Sequence, residues 1–452
     1  MRVHFIAIGG SVMHNLALAL HHKGAIVSGS DDEFFEPSKS RLAACGLLPT
    51  EVGWHPERIT PDLDAVILGM HATNDNPELQ RARELGIKVY SFPEYLYEQT
   101  KDKKRIVVGG SHGKTTTTSM IMHVLRTLGR KFDYMVGAQI EGFSTMVGLS
   151  TDAPIAVFEG DEYLSSTLDP TSKFLRYKPD VAIITGIAWD HINVFPTWES
   201  YVGTFSKFAS TIMPNGKFIY FEGDEELQKI AKQLRPDVEA LPYKGLNFST
   251  IDEQTIVEHE GKEYKVSLFG KHNMQDMNAA MLACLQVGIT ADEFLTAIQS
   301  FGGAAKRLQT LQKGTNSIAY LDFAHSPSKL KATTLAVRER YPNKRLVACM
   351  ELHTFSSLTK EFLPQYAHTM DVADDAIVYF NPEVIAHKRL QPIEPTEVAA
   401  AFAHPNLQVF TASAQLVSHL SQTDLSNAVL LIMTSGNFDG VDIKALATEL
   451  IH

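Results

Sequence analysis

The clearest chemistry sits in Gly109-Gly110-Ser111-His112-Gly113-Lys114-Thr115, between the apolar run Ile106-Val107-Val108 and a stretch with Met120, Ile121, Val124, Leu125 and Leu128 at helical spacing. A glycine-rich turn from strand to helix aims backbone N–H groups and the positive helix end at phosphate oxygens. Lys114 would neutralise β- and γ-phosphates, and the Thr115 hydroxyl would face Mg²⁺. The general GxxxxGK[ST] spacing asks for glycine at 108, where Val108 stands, so only the strand-and-helix setting separates this segment from an ordinary tight turn.

Other reactive residues also fall at predicted strand ends. Glu159, Asp161 and Glu162 follow the run Pro154 to Phe158, where a phosphate-bound cation would need oxygen ligands; without the upstream loop they would read as a solvated acidic loop. Asp190-His191 follows the run Val181 to Ile184, and the histidine reads either as structural or as a metal ligand. Gly270-Lys271-His272-Asn273 opens a helix that reaches Asn278, and Asn273 reads equally as its N-cap. The turn Gly9-Gly10 is a poor dinucleotide fingerprint, because the first and third glycine places fall on Ala7 and Val12; this argues against a nicotinamide dehydrogenase.

The elements that must position these residues alternate between strand and helix. The start Arg2 to Gly10 is a short strand running into glycines, followed by a helix with Met13, Leu16, Ala17 and Leu20 on one face. Runs at Ala25 to Ser28, Ala65 to Gly69 and Lys88 to Ser91 complete a first α/β domain. The charged, unpatterned run Gln99 to Arg105 marks its boundary. Beyond the phosphate loop, Gly129 should cap the helix end, Phe218 to Phe221 adds a strand, and Ile251 to Leu268 alternates like a hairpin around Glu260-Gly261. Thr290 with Glu293 forms a capping box, and strands then recur at Ile318 to Phe323, Leu346 to Met350, Ala376 to Phe380 and Val429 to Met433. The expectation is three consecutive α/β domains, at 1–103, 104–308 and 309–452.

Composition narrows the function further. A chain of 452 residues suggests about three domains. Its 41 basic against 52 acidic residues give a net charge of −11, which excludes a basic nucleic-acid footprint. The 3 cysteines, Cys45, Cys284 and Cys349, are too scattered for a disulfide framework or a CxxC metal site and suit a reducing cytoplasm. No apolar run approaches the roughly 18 residues that a membrane span needs.

In order, these stretches resemble the ATP-dependent Mur ligases, which build the peptidoglycan precursor. Ile8-Gly9-Gly10 with Met13, and Ser28-Gly29-Ser30-Asp31, are similar to the family's UDP-binding domain, and Ser111 to Thr117 to its phosphate loop. Glu159-Gly160-Asp161-Glu162-Tyr163, Asp190-His191, His272-Asn273 with Asn278, and Lys306-Arg307 resemble the central-domain motifs. Asp322-Phe323-Ala324-His325-Ser326-Pro327 resembles the motif opening the third domain. The implied fold is a Rossmann-like UDP-binding domain, a P-loop ATPase domain and a Rossmann-like C-terminal domain.

The resemblance implies ATP and Mg²⁺ and a ligation through an acyl phosphate. It assigns Lys114, Glu159, His191 and Arg307 to catalysis, and Thr115, Glu159 and His191 to the metal. ATP would be held by Gly110, Ser111, His112, Gly113, Lys114, Thr115, Thr116, His272, Asn273, Asn278, Arg307, Asp322 and His325, with Asn273 reading adenine, Arg307 a phosphate and Asp322 the ribose. The UDP-sugar would meet Gly9, Gly10, Ser11, Ser30 and Asp31. Two members share UDP-N-acetylmuramate as acceptor, one adding L-alanine and one the tripeptide L-alanyl-γ-D-glutamyl-meso-diaminopimelate. Asp161-Glu162-Tyr163, the arginine-free His353 to Leu358 and the ending Ser435 to Gly440 look closer to the second. Lys360, Lys388 and Arg389 are candidates for the peptide carboxylates, and Lys207 lies near the lysine that some sister ligases carbamylate. The chain departs from the family at Val12, Ser111, Gly160, Gly186 and Ser326, and Gly186 removes a polar contact.

Overall fold

The computed structural model of the protein describes residues 1–70 and 72–452. Backbone packing gathers the chain into two compact units: residues 1–187, 199–244 and 278–298 form the first, and residues 188–198, 245–277 and 299–452 the second. Along the sequence the expected succession of α/β folds is present.

The first unit holds two sheets. In the first, β1 (Arg2–Ile6), β2 (Ile26–Ser30), β3 (Ala65–Leu68) and β4 (Val89–Ser91) lie parallel in the order β2-β1-β3-β4. The second contains β5 (Lys104–Gly109), β6 (Phe132–Met135), β7 (Val147–Gly148), β8 (Ile155–Glu159), β9 (Val181–Ile184), β10 (Lys217–Phe221) and β11 (Glu239–Tyr243) in the order β11-β10-β9-β5-β8-β6-β7. The central strands β5, β8 and β9 are almost wholly buried and read as continuous apolar runs, as strands covered on both faces must.

The second unit begins with an antiparallel sheet of β12 (Phe248–Ile251), β13 (Gln254–His259) and β14 (Lys262–Val266), in which Glu260-Gly261 makes the expected hairpin turn. Its main sheet contains β15 (Gln309–Lys313), β16 (Ile318–Asp322), β17 (Arg345–Glu351), β18 (Asp375–Tyr379), β19 (Leu407–Phe410) and β20 (Ala428–Met433) in the order β15-β16-β20-β17-β18-β19, parallel except for β15. Alternate residues of these strands feed two cores. Leu346, Ala348, Met350 and Leu431 belong to one, and Val347, Cys349, Leu430 and Ile432 to the other.

Local signals behave as anticipated in several places. Gly129 takes φ 66° just after the helix Lys114–Thr127, and Thr290 and Glu293 exchange the reciprocal bonds of a capping box. The run Gln99 to Arg105 is a correction: Gln99 and Thr100 close the helix Phe92–Thr100, and Lys104 and Arg105 already belong to β5. Arg105 is 2% exposed and binds the carbonyls of Thr100, Lys101, Lys103, Tyr177 and Lys178 with Asp180 beside it, so its charge gathers the chain entering β5.

Candidate active site: a phosphate loop and the strand ends around it

β5 delivers the chain into a loop whose shape depends on two glycines. Gly110 has φ 132° and Gly113 φ 76°, and a Cβ at 110 would lie 2.2 Å from Thr185 Oγ1. Beyond β9, Gly186 accepts the Ser111 N–H at 2.9 Å, while the Thr185 hydroxyl donates to the His112 carbonyl. Gly186 itself has φ 153°, and a Cβ there would come within 2.7 Å of the His112 ring. The glycine at 186 therefore makes room for that imidazole. No side chain caps the helix Lys114–Thr127 and no acid occupies its first turn, which leaves its N–H groups and positive end open to an anion.

Lys114 is anchored from both sides. Its ammonium donates at 2.7 Å to the Gly110 carbonyl and at 2.7 Å to Glu162 Oε2, and the Glu162 side chain is 1% exposed. Burial works against the charge of Lys114, but the carboxylates of Glu162, Asp161 and Glu159 outweigh it and hold the ammonium above its usual range. The same competition lowers Asp161 to about 2: burial opposes ionisation, and Lys173 at 2.7 Å together with Lys114 overcomes it.

Tyr201, fully buried on the helix Trp198–Ser210, completes this cluster by donating to Glu162 Oε1 at 3.0 Å. A phenol has one proton, so in the 2.7 Å bond between Tyr201 and Ser111 it is the Ser111 hydroxyl that donates. Ser111, Tyr201, Glu162 and Lys114 thus form one chain of bonds across the loop.

At the end of β8, Glu159 Oε1 accepts the Thr115 hydroxyl at 2.9 Å and Oε2 accepts the Gly137 N–H at 2.8 Å. A Cβ at 137 would lie 2.8 Å from that carboxylate, so the glycine is what admits it. The two groups are hard oxygen donors beside a phosphate loop, which fits Mg²⁺. Among the described residues no group of three His, Cys, Asp or Glu side chains gathers as a metal site. His191, the third expected ligand, belongs to the second unit.

The expected UDP-sugar residues gather at the ends of β1 and β2. Gly9 N–H donates to Asp31 Oδ2 at 2.6 Å, Ala7 and Ile8 N–H groups bind the Ser30 carbonyl, and Gly10 precedes the uncapped helix Ser11–His22. A side chain at 9 would lie 2.9 Å from Asp31 Oδ2. Burial raises Asp31 to about 6, against the pull of the Gly9 N–H and with help from the adjacent Asp32 carboxylate. Beneath this edge, His4 and Glu78 form a fully buried pair at 3.2 Å.

In the second unit, Asp190 accepts the N–H of His191, itself at φ 53°, and lies 3.8 Å from His325 Nε2. Although burial opposes its charge, His325, His191 and Lys329 hold Asp190 far below the usual carboxylate range. His325 donates Nδ1–H to the Phe323 carbonyl at 2.9 Å, and burial lowers its basicity. Burial likewise brings His272 down to about 4, against Glu339, so its imidazole is neutral near pH 7.

One residue departs from the sequence reading, and one already has its carboxylate engaged. Asn273 is no N-cap: it lies inside the helix Lys271–Leu285 and donates to the Phe269 carbonyl at 2.7 Å. Asp322 spends both oxygens on the backbone, accepting Leu308 N–H at 2.7 Å and Ala324 N–H at 2.8 Å; it thereby holds a loop in which Lys306 and Leu308 have φ 54° and 46°. Burial leaves Asp322 raised despite Arg307 and those amides, and Arg307 lies over the Phe323 ring. Asn278, in the first unit, donates to the Lys244 carbonyl. Lys360 pairs with Glu397 at 2.9 Å.

Sequence reading missed Tyr201, Thr185 and the structural part played by Glu162. A tyrosine in an amphipathic helix carries no local signal, whereas Glu162, inside an acidic motif beside the loop, could have been paired with Lys114 by charge alone.

Three family descriptions match the chain in order: "Mur ligase family, catalytic domain" over residues 2–104, "Mur ligase middle domain" over 108–284 and "Mur ligase, glutamate ligase domain" over 306–436. A UDP-N-acetylmuramate–L-alanine ligase of Lactiplantibacillus plantarum is 32% identical over 82% of this chain and 82% of its own. The UDP-N-acetylmuramate–L-alanyl-γ-D-glutamyl-meso-2,6-diaminoheptandioate ligase of Escherichia coli is 28% identical over 99% and 98%. The crystal structure of a murein peptide ligase from Psychrobacter arcticus superposes with a TM-score of 0.67 at 22% identity, covering 100% of this chain and 98% of that one.

Proposed function

The chain belongs to the Mur ligase family of ATP-dependent, ADP-forming ligases, and on that premise we propose that it joins the carboxylate of UDP-N-acetylmuramate to the amine of L-alanyl-γ-D-glutamyl-meso-diaminopimelate, as in peptidoglycan recycling. The observation that carries the ligase chemistry is the phosphate loop, with Lys114 held between Gly110 and Glu162 and with Thr115 on Glu159. A free carboxylate is a poor acyl donor. Its oxygen attacks the γ-phosphate of ATP, ADP leaves, and the amine then attacks the acyl carbon and expels phosphate to give the amide.

Each loop residue has a part in that reading. The backbone N–H groups of His112, Gly113, Lys114 and Thr115 cradle the phosphates, and Lys114 follows the charge that grows on the transferring group. Glu162 and Tyr201 keep the lysine and Ser111 in place when no phosphate is there. Mg²⁺, held by the oxygens of Thr115 and Glu159 with His191 as third ligand, would spread charge over the β- and γ-phosphates. His272, Asn273, Asn278, Arg307, Asp322 and His325 are proposed around the nucleotide, and Gly9, Gly10, Ser11, Ser30 and Asp31 around the UDP-sugar. Domain limits at 1–103, 104–308 and 309–452 belong to the same proposal. Among the described residues no helix is long and apolar enough to cross a membrane, and the 3 cysteines are free; a cytoplasmic setting is proposed on that basis.

For the choice of amine, the support is the segment after β17: between Glu351 and Lys360 it carries no arginine or lysine to clasp the single carboxylate of a small amino acid. Joining L-alanine instead is the second reading, favoured by the 32% identical relative. Phosphate release with ATP, Mg²⁺ and UDP-N-acetylmuramate, comparing tripeptide with L-alanine and weighing the product by mass spectrometry, tests both. Turnover with tripeptide and little with alanine is expected; the reverse would install the second reading, and turnover with neither would remove both.

A further inference from the structure

β17 and β20 are parallel neighbours in register at Met350 and Met433, yet their chains leave in opposite directions. After β17, Leu352, Leu358, Phe362 and Leu363 join the core that contains Leu330 and Val337 of the helix Pro327–Arg340. After β20, Phe438 and then Leu446 and Ala447 of the helix Ile443–Leu450 join the core on the other face. Adjacent strands of a parallel sheet whose connections diverge to opposite faces leave a crevice at their C-terminal ends, and such crevices are where open α/β sheets take ligands.

Glu351 forms the floor of this crevice. Its side chain is 4% exposed; Oε2 accepts the Phe438 N–H at 3.1 Å and the Thr434 hydroxyl, while Oε1 faces His353 Nδ1 at 3.6 Å. The Thr434 oxygen in turn accepts the Gly436 N–H at 2.7 Å. Gly436 is held close: a Cβ would lie 2.7 Å from Glu351 Oε2 and 2.8 Å from His353 Cγ. The Ser435 hydroxyl beside it is buried without a hydrogen-bond partner. A neutral imidazole whose Nδ1–H faces the carboxylate keeps Nε2 as an acceptor, and the His353 side chain is 37% exposed. The local field is negative as well: burial first, then the Asp439 and Glu351 carboxylates, push the Tyr379 phenol up to about 12.

An acceptor nitrogen over a buried carboxylate, with an unspent hydroxyl alongside, is complementary to a group that is cationic and rich in N–H donors. L-Alanine has one amino group, which the ligation consumes; a peptide ending in a diamino acid carries a second that the reaction leaves alone. We propose that Glu351 and His353, with Ser435, form a subsite for that second amino group, and so select a peptide ending in a diamino acid over a single amino acid. Glu351 is the positioning residue, and His353 is the one that touches the ligand. The proposal rests on the tripeptide reading above.

The test is KM for the amine with purified full-length enzyme, using the tripeptide and the same tripeptide acetylated on its distal amino group. Acetylation is expected to raise the wild-type KM about tenfold or more, as loss of a charge-assisted hydrogen bond would. His353→Gln and Glu351→Gln should each raise KM for the unmodified tripeptide to the acetylated level, with kcat and the KM values for ATP and UDP-N-acetylmuramate within about twofold. Wild-type indifference to acetylation overturns the subsite. So does an equal loss of both peptides in His353→Gln, which would put the reacting amine there. Should Glu351→Gln fail to fold, His353→Gln decides alone, because that side chain is partly exposed. Turnover of neither tripeptide nor alanine by the wild type would instead sink the ligase reading, and the subsite with it.

Discussion

The phosphate loop after β5 and the crevice beyond β17 and β20 are both built where parallel strands end, but they are assembled differently. At the loop a lysine is held among carboxylates, and the anion-binding groups are backbone N–H donors fixed by glycines next to it in sequence. At the crevice a carboxylate is buried with the His353 imidazole 3.6 Å away, and the residues that fix it come from two strand ends that the sequence places 83 positions apart. The first suits a polyanion and the second a cation. An anion site can be written into one stretch of chain, because nearly every residue brings an N–H; the carboxylate site here is gathered from two separate strand ends.

The sharpest way to break the comparison is to remove the lysine. Lys114→Met should lower kcat/KM by about a thousandfold or more, since phosphoryl transfer relies on that charge. It also removes the cation beside buried Glu162, a loss of about 3–5 kcal/mol that urea unfolding would register. Retained activity or unchanged stability would mean that the ammonium is not the organising charge of the loop.

Asp31 sharpens the contrast from a third strand end, where a carboxyl is held by an N–H rather than by a cation. Its value of about 6 in the folded protein lies above the ordinary 3.8, so between those two pH values the unfolded chain gives up its proton first. The stability owed to this group is therefore whole below pH 4 and lost as pH rises towards 6. Relative to Asp31→Asn, the wild type should lose about 3 kcal/mol across that window and nothing further above it. A parallel pair of stability curves would show that Asp31 is not raised.

Tyr201→Phe is expected to be milder, because it deletes one hydroxyl from the chain that joins Ser111 to Glu162. The loss should be about 1–1.5 kcal/mol of stability and about tenfold in kcat, with little change in the KM for UDP-N-acetylmuramate. An effect confined to stability would make Tyr201 a packing residue only. The smallest change is foreseen at Lys360, an exposed charge paired with Glu397. Lys360→Ala should leave the melting temperature within about 1 °C and the KM of the amine unchanged. A marked rise in that KM would return the peptide carboxylates to this lysine and weaken the contrast between the two crevices.

Much of the fold was legible because central strands of parallel sheets are apolar on both faces. β5, β9, β16 and β20 were all anticipated from their runs, and so was the turn at Glu260-Gly261. The strands that escaped notice lie mostly at sheet edges. β11, β15 and β19 read Glu-Ala-Leu-Pro-Tyr, Gln-Thr-Leu-Gln-Lys and Leu-Gln-Val-Phe, polar enough to pass for loops, because an edge strand keeps part of its surface in water. The charged run before β5 carries no pattern for a related reason: the burial of Arg105 depends on five backbone carbonyls, two of them from a distant segment.

The succession of α/β folds and the glycine-rich loop that carries Lys114 were written in the chain alone, because they depend on apolar runs, glycines and residues that are neighbours in sequence. Only the tertiary structure decided that Tyr201 links Ser111 to Glu162, that Asp322 spends its carboxylate on a strained loop, and that Glu351 and Thr434 meet across two strands. Those bonds act over about 3 Å between residues far apart in sequence, and nothing in the spacing of residues along a chain records which strand ends will come to lie side by side.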